Sequence, residues 1–350
     1  MYTLPAEWYQ QDAVLLAWPH EKTEWGSILD TIEPVYLNLC QAITQREKLV
    51  LIVRDYDLKS KVIDQFIAHN IDIRQIQFVI AVNNDIWIRD YGPITLINDK
   101  DELKILNFAF NGWGQKYEDI GYQSVLDNHI NDQILAQCAN KAIPTESPFF
   151  VLEGGAIESD GNRTLLTTKS CLLNPNRNPQ LTQTQIEAFL RDILGVKTIF
   201  WLKHGHLQGD DTDSHIDTLV RFAPNQTLVY VSCDDRSDTH YDDLKCLETE
   251  LKALRTPDGN AYHLIPLPWP QPKYNEDGDR LPASYANYLI INGAVLVPTY
   301  RDQKDNQALK QVQTAYPRHK VIGIDCLPLI REFGSLHCMT MQLPKGFLKS

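Results

Sequence analysis

Long apolar runs are missing from this chain of 350 residues. Nothing in it approaches the ~20 consecutive apolar residues that a helical membrane span needs. Met1–Asp12 has neither a basic start nor an apolar stretch, so no secretory signal is expected there. Paired cysteines are missing too. The seven, Cys40, Cys138, Cys171, Cys233, Cys246, Cys326 and Cys338, are odd in number and never spaced as Cys-x-x-Cys. That pattern argues against a disulfide framework and against a structural zinc site, and it fits a reducing compartment, the cytoplasm. Positive charge is short: 33 Lys and Arg face 45 Asp and Glu, for a net charge of -12. A nucleic-acid backbone calls for the reverse balance. A small cationic ligand suits an acidic protein, although acidity is ordinary among soluble proteins.

What is present is ordinary globular composition, 43% hydrophobic and 22% charged, in a chain long enough to bury a large core. Stretches with a helical pattern lead repeatedly into short apolar runs. Tyr36–Thr44 precedes Leu49–Val53, and Leu58–His69 precedes Ile76–Ala81. Thr182–Leu194 precedes Thr198–Leu202, Tyr241–Leu254 precedes Tyr262–Leu267, and Asn306–Tyr316 precedes Lys320–Ile324. Further runs at Val14–Trp18, Leu165–Thr168, Thr227–Cys233 and Ala294–Pro298 have the length and the Val, Ile and Thr content of strands. About five such units predict an α/β protein of repeated modules rather than one long doubly wound sheet. Trp269–Pro282, rich in Pro, Asp and Gly, reads as a long loop over a site.

Four segments carry side chains suited to chemistry. Asn84-Asp85-Ile86-Trp87-Ile88-Arg89-Asp90-Tyr91-Gly92-Pro93 follows an expected strand, the end at which α/β proteins place ligands; it could equally be a charged surface turn. Glu153-Gly154-Gly155 follows the apolar run Phe149–Leu152, also expected to be a strand, and its glycines allow close backbone approach. Gly209-Asp210-Asp211-Thr212-Asp213-Ser214-His215-Ile216-Asp217-Thr218 holds four acids and a histidine. On an extended backbone His215 and Asp217 would share a face. A divalent metal site and a solvated acidic loop are both open readings. The fourth is Phe333-Gly334-Ser335-Leu336-His337-Cys338-Met339-Thr340. A cysteine is by default a small buried hydrophobe, and the other six are so read, but Cys338 lies in a Gly-Ser context directly after a histidine.

Together with Leu4-Pro5-Ala6-Glu7-Trp8, Ala17-Trp18-Pro19, Asn111-Gly112-Trp113-Gly114 and Leu172-Leu173-Asn174-Pro175-Asn176-Arg177-Asn178-Pro179, these segments, in this order, make the chain resemble the agmatine deiminase family. The resemblance runs nearly end to end. It implies one catalytic domain over residues 1–350, folded as a five-bladed α/β propeller with pseudo-fivefold repeats of strand-helix modules. It implies hydrolysis of agmatine to N-carbamoylputrescine and ammonia, a step of polyamine synthesis, with no metal and no other cofactor. A homodimer is implied, with a small cationic guanidine as ligand and neither nucleic acid nor membrane as partner.

A guanidinium stays charged, with a pKa above about 12, so a site must hold it, attack its central carbon and protonate a leaving nitrogen. The resemblance gives Cys338 the role of nucleophile, His215 that of general acid and then base, and Glu153 that of orienting His215. Asp90 and Asp217 would pair with the guanidinium fork, Asp211 would complete the pocket, and Trp87 and Trp113 would flank the substrate chain or stack on its cation, unless both simply pack the core. Family members have Gly-Gly-Asn-Ile-His-Cys at the nucleophile; here Gly334-Ser335-Leu336-His337-Cys338 stands instead, with Gln115 and Met341 as further departures. These bear on the substrate tail, leaving free arginine or a peptide's C-terminal arginine as alternatives. A guanidine- or polyamine-binding protein without turnover is the non-enzymatic alternative, though binding alone needs no thiol.

Overall fold

A computed structural model describes residues 1–117 and 124–349. Two compact units account for them: Met1–Tyr2, Tyr9–Gly154 and Cys338–Ser350 form the first, Thr3–Trp8 and Gly155–His337 the second.

The first unit is built on a sheet in the order Thr340–Pro344, Gln11–Ala17, Lys48–Val53, Ile76–Ile80. Thr340–Pro344 runs antiparallel to Gln11–Ala17 and the other neighbours are parallel. Parallel neighbours require crossovers, which the helices Leu29–Thr44 and Tyr56–Ala68 provide. The side chain of Asp55 caps the second helix by accepting from Leu58 N–H at 2.8 Å. Leu49–Val53 is buried at every position, as expected of a strand covered on both faces. Burial of each such aliphatic side chain contributes roughly 1.5–3 kcal/mol. A smaller sheet of Ile94–Ile97, Leu103–Leu106 and Thr145–Glu146 repeats the antiparallel-then-parallel order.

The second unit repeats that order three times. Its sheets are Glu158–Ser159 with Thr164–Thr168 and Thr198–Leu202, Val220–Ala223 with Thr227–Val231 and His263–Leu267, and Leu289–Ile291 with Ala294–Thr299 and Lys320–Asp325. The crossover of each parallel pair carries a longer helix, Gln183–Ile193, Tyr241–Ala253 or Asp305–Ala315, preceded in the first by the single turn Lys169–Leu172. Gln183–Ile193 opens on a capping box between Thr182 and Gln185. The fold is therefore mixed α/β, with five sheets that share one strand pattern.

Several expectations change. Five modules are present, but Leu58–His69 with Ile76–Ala81 is an added helix and strand on the first sheet. The module that sequence reading passes over is the second, whose third strand is only Thr145–Glu146. Phe149–Leu152 is not a strand; Val151 makes a single bridge to Ala109, and Phe149, after Pro148, is fully exposed. Cys246 is exposed on its helix, whereas the other six cysteines are buried. Trp269–Pro282 is a loop folded into a short hairpin, Lys273–Tyr274 against Arg280–Leu281.

Candidate active site

In the first unit, strand pairing sets the site. Leu16 is in register with Thr340 and Leu15 with Met341. This brings Cys338 to the carboxyl end of Gln11–Ala17, the end where the parallel strands of this sheet open into loops. The segment after Ile76–Ile80 arrives at the same end and closes into one helical turn, Ile88–Tyr91. Arg89 N–H donates to the Cys338 carbonyl at 3.1 Å. The Arg89 guanidinium reaches back along the C-terminal strand, donating from Nη1 to Gln342 Oε1 at 2.6 Å.

Of the two readings of this turn, the surface one fails: Asp90 is 4% exposed and Arg89 3%. Asp90 Oδ2 accepts from the indole N–H of Trp113 at 2.9 Å. Trp113 reaches it from a left-handed run, with φ of 66° at Gly112, 52° at Trp113 and 84° at Gly114. Only glycine tolerates that conformation cheaply, and Asn111 steadies it by accepting from Gly114 N–H at 2.9 Å. Trp113 thereby gives that carboxylate a hydrogen bond that orients it. Trp87 is buried edge-on against Trp25, with ring centroids 5.6 Å apart.

Glu153 is fully buried in the same unit. A Cβ at the next residue, Gly154, would overlap the Arg89 carbonyl oxygen, so the glycine permits the 153–154 segment to pack against the Asp90 turn.

In the second unit, the acidic loop follows the strand Thr198–Leu202. His215 and Asp217 are 1% and 0% exposed, so the solvated-loop reading fails for them. They do not lie on an extended backbone, because Ile216–Thr218 forms a 3-10 turn. Two successive left-handed residues, Asp213 and Ser214, both at φ 67°, swing the chain into that turn. Non-glycine residues resist this conformation at a cost of about 1–2 kcal/mol each. Local hydrogen bonds offset the cost. Asp210 accepts from Thr212 N–H at 3.2 Å and from Ser214 N–H at 2.6 Å. Thr168 Oγ1 donates to the Ser214 carbonyl at 2.7 Å. Buried Arg177 donates to Asp213 Oδ2 at 2.6 Å and to the Thr212 carbonyl at 3.0 Å. Asp211 is half-buried within this loop.

Arg177 was legible only as part of a motif, without a role. Its replacement by Ala should cost about 1–3 kcal/mol, because a buried donor to two loop acceptors is lost. Urea unfolding of Arg177→Ala against the parent chain measures it.

Asp217 meets a second histidine. Its Oδ2 lies 2.7 Å from Nδ1 of His337. Burial alone would raise the Asp217 carboxyl. The hydrogen bond from His337 and the charges of His337, His215 and Arg221 outweigh burial and hold it below its usual value. Cys171 and His215 bring a sulfur and a ring nitrogen within 4.8 Å of each other.

Sequence reading missed the polar groups behind Asp217. His337 Nε2 is 2.6 Å from Glu7 Oε2. Arg221, fully buried, donates to Glu7, to Glu158 at 3.0 Å and to the Tyr288 carbonyl at 2.6 Å. Glu7 and Arg221 are 214 residues apart, and no local pattern joins them. Glu7 stands in the Leu4–Trp8 segment and His337 beside Cys338, so the motifs hold both residues but not their contact.

Among solved structures, a Campylobacter jejuni agmatine deiminase determined with substrate bound, as a cysteine-to-serine variant, is 38% identical. It superposes with a TM-score of 0.88 over 99% of this chain and 97% of its own. A Porphyromonas gingivalis chain provisionally named an arginine deiminase is 44% identical, with a TM-score of 0.90 and full coverage of both. The fold is that of the deiminases. An agmatine deiminase of Pseudomonas syringae pv. tomato is 32% identical over 99% of this chain and 96% of its own length. Residues 3–344 match the Porphyromonas-type peptidyl-arginine deiminase family, and the chain belongs to it.

Proposed function

We propose that the protein hydrolyses agmatine to N-carbamoylputrescine and ammonia through a covalent intermediate on Cys338. The observation that carries this reading is a buried carboxylate, Asp90, oriented by Trp113 in the turn whose backbone binds Cys338. A planar cation is what such a carboxylate recognises, and a thiol is what its carbon reacts with.

In this reading the Cys338 thiolate attacks the guanidinium carbon, which Asp90 and Asp217 hold by its nitrogens. The tetrahedral adduct expels ammonia as His215 gives up a proton, and an S-amidino cysteine remains. Glu153 orients His215 and supports its charged form. Water, its proton taken by His215, then adds to the same carbon. The C–S bond breaks, releasing the ureido product and restoring the thiol. Acid-base help of this kind is worth about 10²–10⁴-fold. Asp211 faces the substrate's remaining polar groups.

The five sheets of one pattern support closure of the whole chain, residues 1–350, into a five-bladed α/β propeller acting as one catalytic domain. Homodimeric assembly and a cytoplasmic location belong to the same reading. No helix among the described residues is long and apolar enough to cross a membrane.

The Porphyromonas gingivalis match favours arginine as the competing substrate. Ammonia release from agmatine, free arginine and a peptide ending in arginine decides between them. We expect kcat/KM for agmatine to exceed that for either other substrate by at least about tenfold, the worth of one well-placed contact of about 1.4 kcal/mol. A larger value for arginine would replace agmatine as substrate. Release from none of the three would leave the binding-protein reading.

A further inference from the structure

His337 is a buried imidazole with a carboxylate on each side. It is 2% exposed. Nδ1 lies 2.7 Å from Asp217 Oδ2 and Nε2 lies 2.6 Å from Glu7 Oε2. Its own N–H is shared between the Asn287 side-chain oxygen at 3.0 Å and the Asn287 carbonyl at 3.2 Å. Ring and main chain are therefore both fixed.

The groups that hold it are fixed in turn. The other oxygen of Glu7 accepts from Ile290 N–H at 2.7 Å. Arg221 donates to Glu7, lies 3.1 Å from His337 Nε2 and stacks its guanidinium over the Tyr288 ring at 4.8 Å. Glu158 binds Arg221 Nε and accepts from Phe222 N–H at 3.0 Å. Three buried acids, Glu7, Glu158 and Asp217, surround this one arginine and one histidine. A network of this kind is costly to leave half-satisfied, so its members have little freedom to move.

We propose that His337 is a positioning residue, whose ring sets the carboxylate of Asp217 and whose backbone sets where Cys338 begins. The Cys338 carbonyl is in turn held by Arg89 N–H, so the nucleophile's backbone is restrained at both ends. The proposal rests on the reading of Cys338 as nucleophile. It adds a requirement that reading does not contain, namely that a side chain outside the reacting groups determines their placement.

The experiment replaces His337 by Gln, which keeps one polar contact and loses the second. It measures kcat and KM for agmatine and the rate constant for iodoacetamide alkylation of Cys338 followed by peptide mass. We expect kcat to fall about 100-fold, the cost of misplacing a reacting group by about 1 Å. KM should change by less than about fivefold, and the alkylation rate constant at Cys338 by at least about fivefold. A lesion that only unfolds part of the sample reduces the amplitude of folded-state alkylation and leaves its rate constant unchanged. Parental kcat, KM and alkylation rate constant in a folded His337→Gln chain would overturn the proposal. If that variant does not fold, Glu7→Gln decides: a fall in kcat of about tenfold supports the clamp, and parental kcat and alkylation overturn it. If the parent chain turns over no guanidine, the catalytic reading fails while the alkylation rate constant still tests the clamp.

Discussion

Replacing Cys338 by Ala should abolish ammonia release from agmatine, lowering kcat by about 10⁴-fold or more, as loss of a nucleophile does where catalytic groups act as a unit. The sulfur is the one atom for which the proposed reaction has no substitute. Water attacks a resonance-stabilised guanidinium slowly, and the remaining carboxylates and imidazole can only hold the substrate or move protons. Folding should survive, because Cys338 is 7% exposed and the change removes one sulfur. Its backbone bond from Arg89 does not depend on the side chain. Acid quenching of the parent enzyme during turnover should give a peptide containing Cys338 heavier by agmatine less ammonia. Turnover retained in Cys338→Ala, or an adduct on another cysteine, would remove Cys338 from the mechanism.

The second large effect is expected at Asp90. Asp90→Asn keeps the shape and can keep the hydrogen bond from Trp113, so the change isolates the charge. Opposite charges at about 4 Å in an effective dielectric near 20 attract by roughly 4 kcal/mol before desolvation. Removing one partner of a buried pair costs about 3–5 kcal/mol. That corresponds to a fall in kcat/KM of roughly 10²–10⁴-fold. Trp113→Phe, which leaves the charge but frees the carboxylate, should cost less, about tenfold, matching one hydrogen bond to a charged group. The ratio of the two losses separates holding the cation from aiming the group that holds it. Equal rates for Asp90→Asn and the parent would place the guanidinium elsewhere.

The long helices and the buried strands were legible because their apolar periods persist over several turns or residues. Tyr241–Ala253 and Thr198–Leu202 are examples. The second module was not, because Thr145–Glu146 is too short to carry a period. Phe149–Leu152 misled for the opposite reason: apolar side chains stood in a row without a sheet to receive them. The types and positions of the candidate residues were readable from local motifs. Their surroundings were not. Trp113 as the donor to Asp90, and His337 as the partner of both Asp217 and Glu7, depend on contacts between residues up to 330 positions apart. Local composition carries no trace of such pairs. The backbone of the acidic loop was also hidden, since left-handed Asp213 and Ser214 are imposed by Asp210, Thr168 and Arg177 rather than by glycine.

The pairing of Gln11–Ala17 with Thr340–Pro344 has a consequence for biosynthesis. The early strand must wait for translation to pass residue 344 before its edge is covered, tens of seconds at roughly 5–20 residues per second. An open edge is a template for association with other nascent chains. Cys338 sits just ahead of the late strand, so the sulfur proposed to react takes its place only as that edge closes.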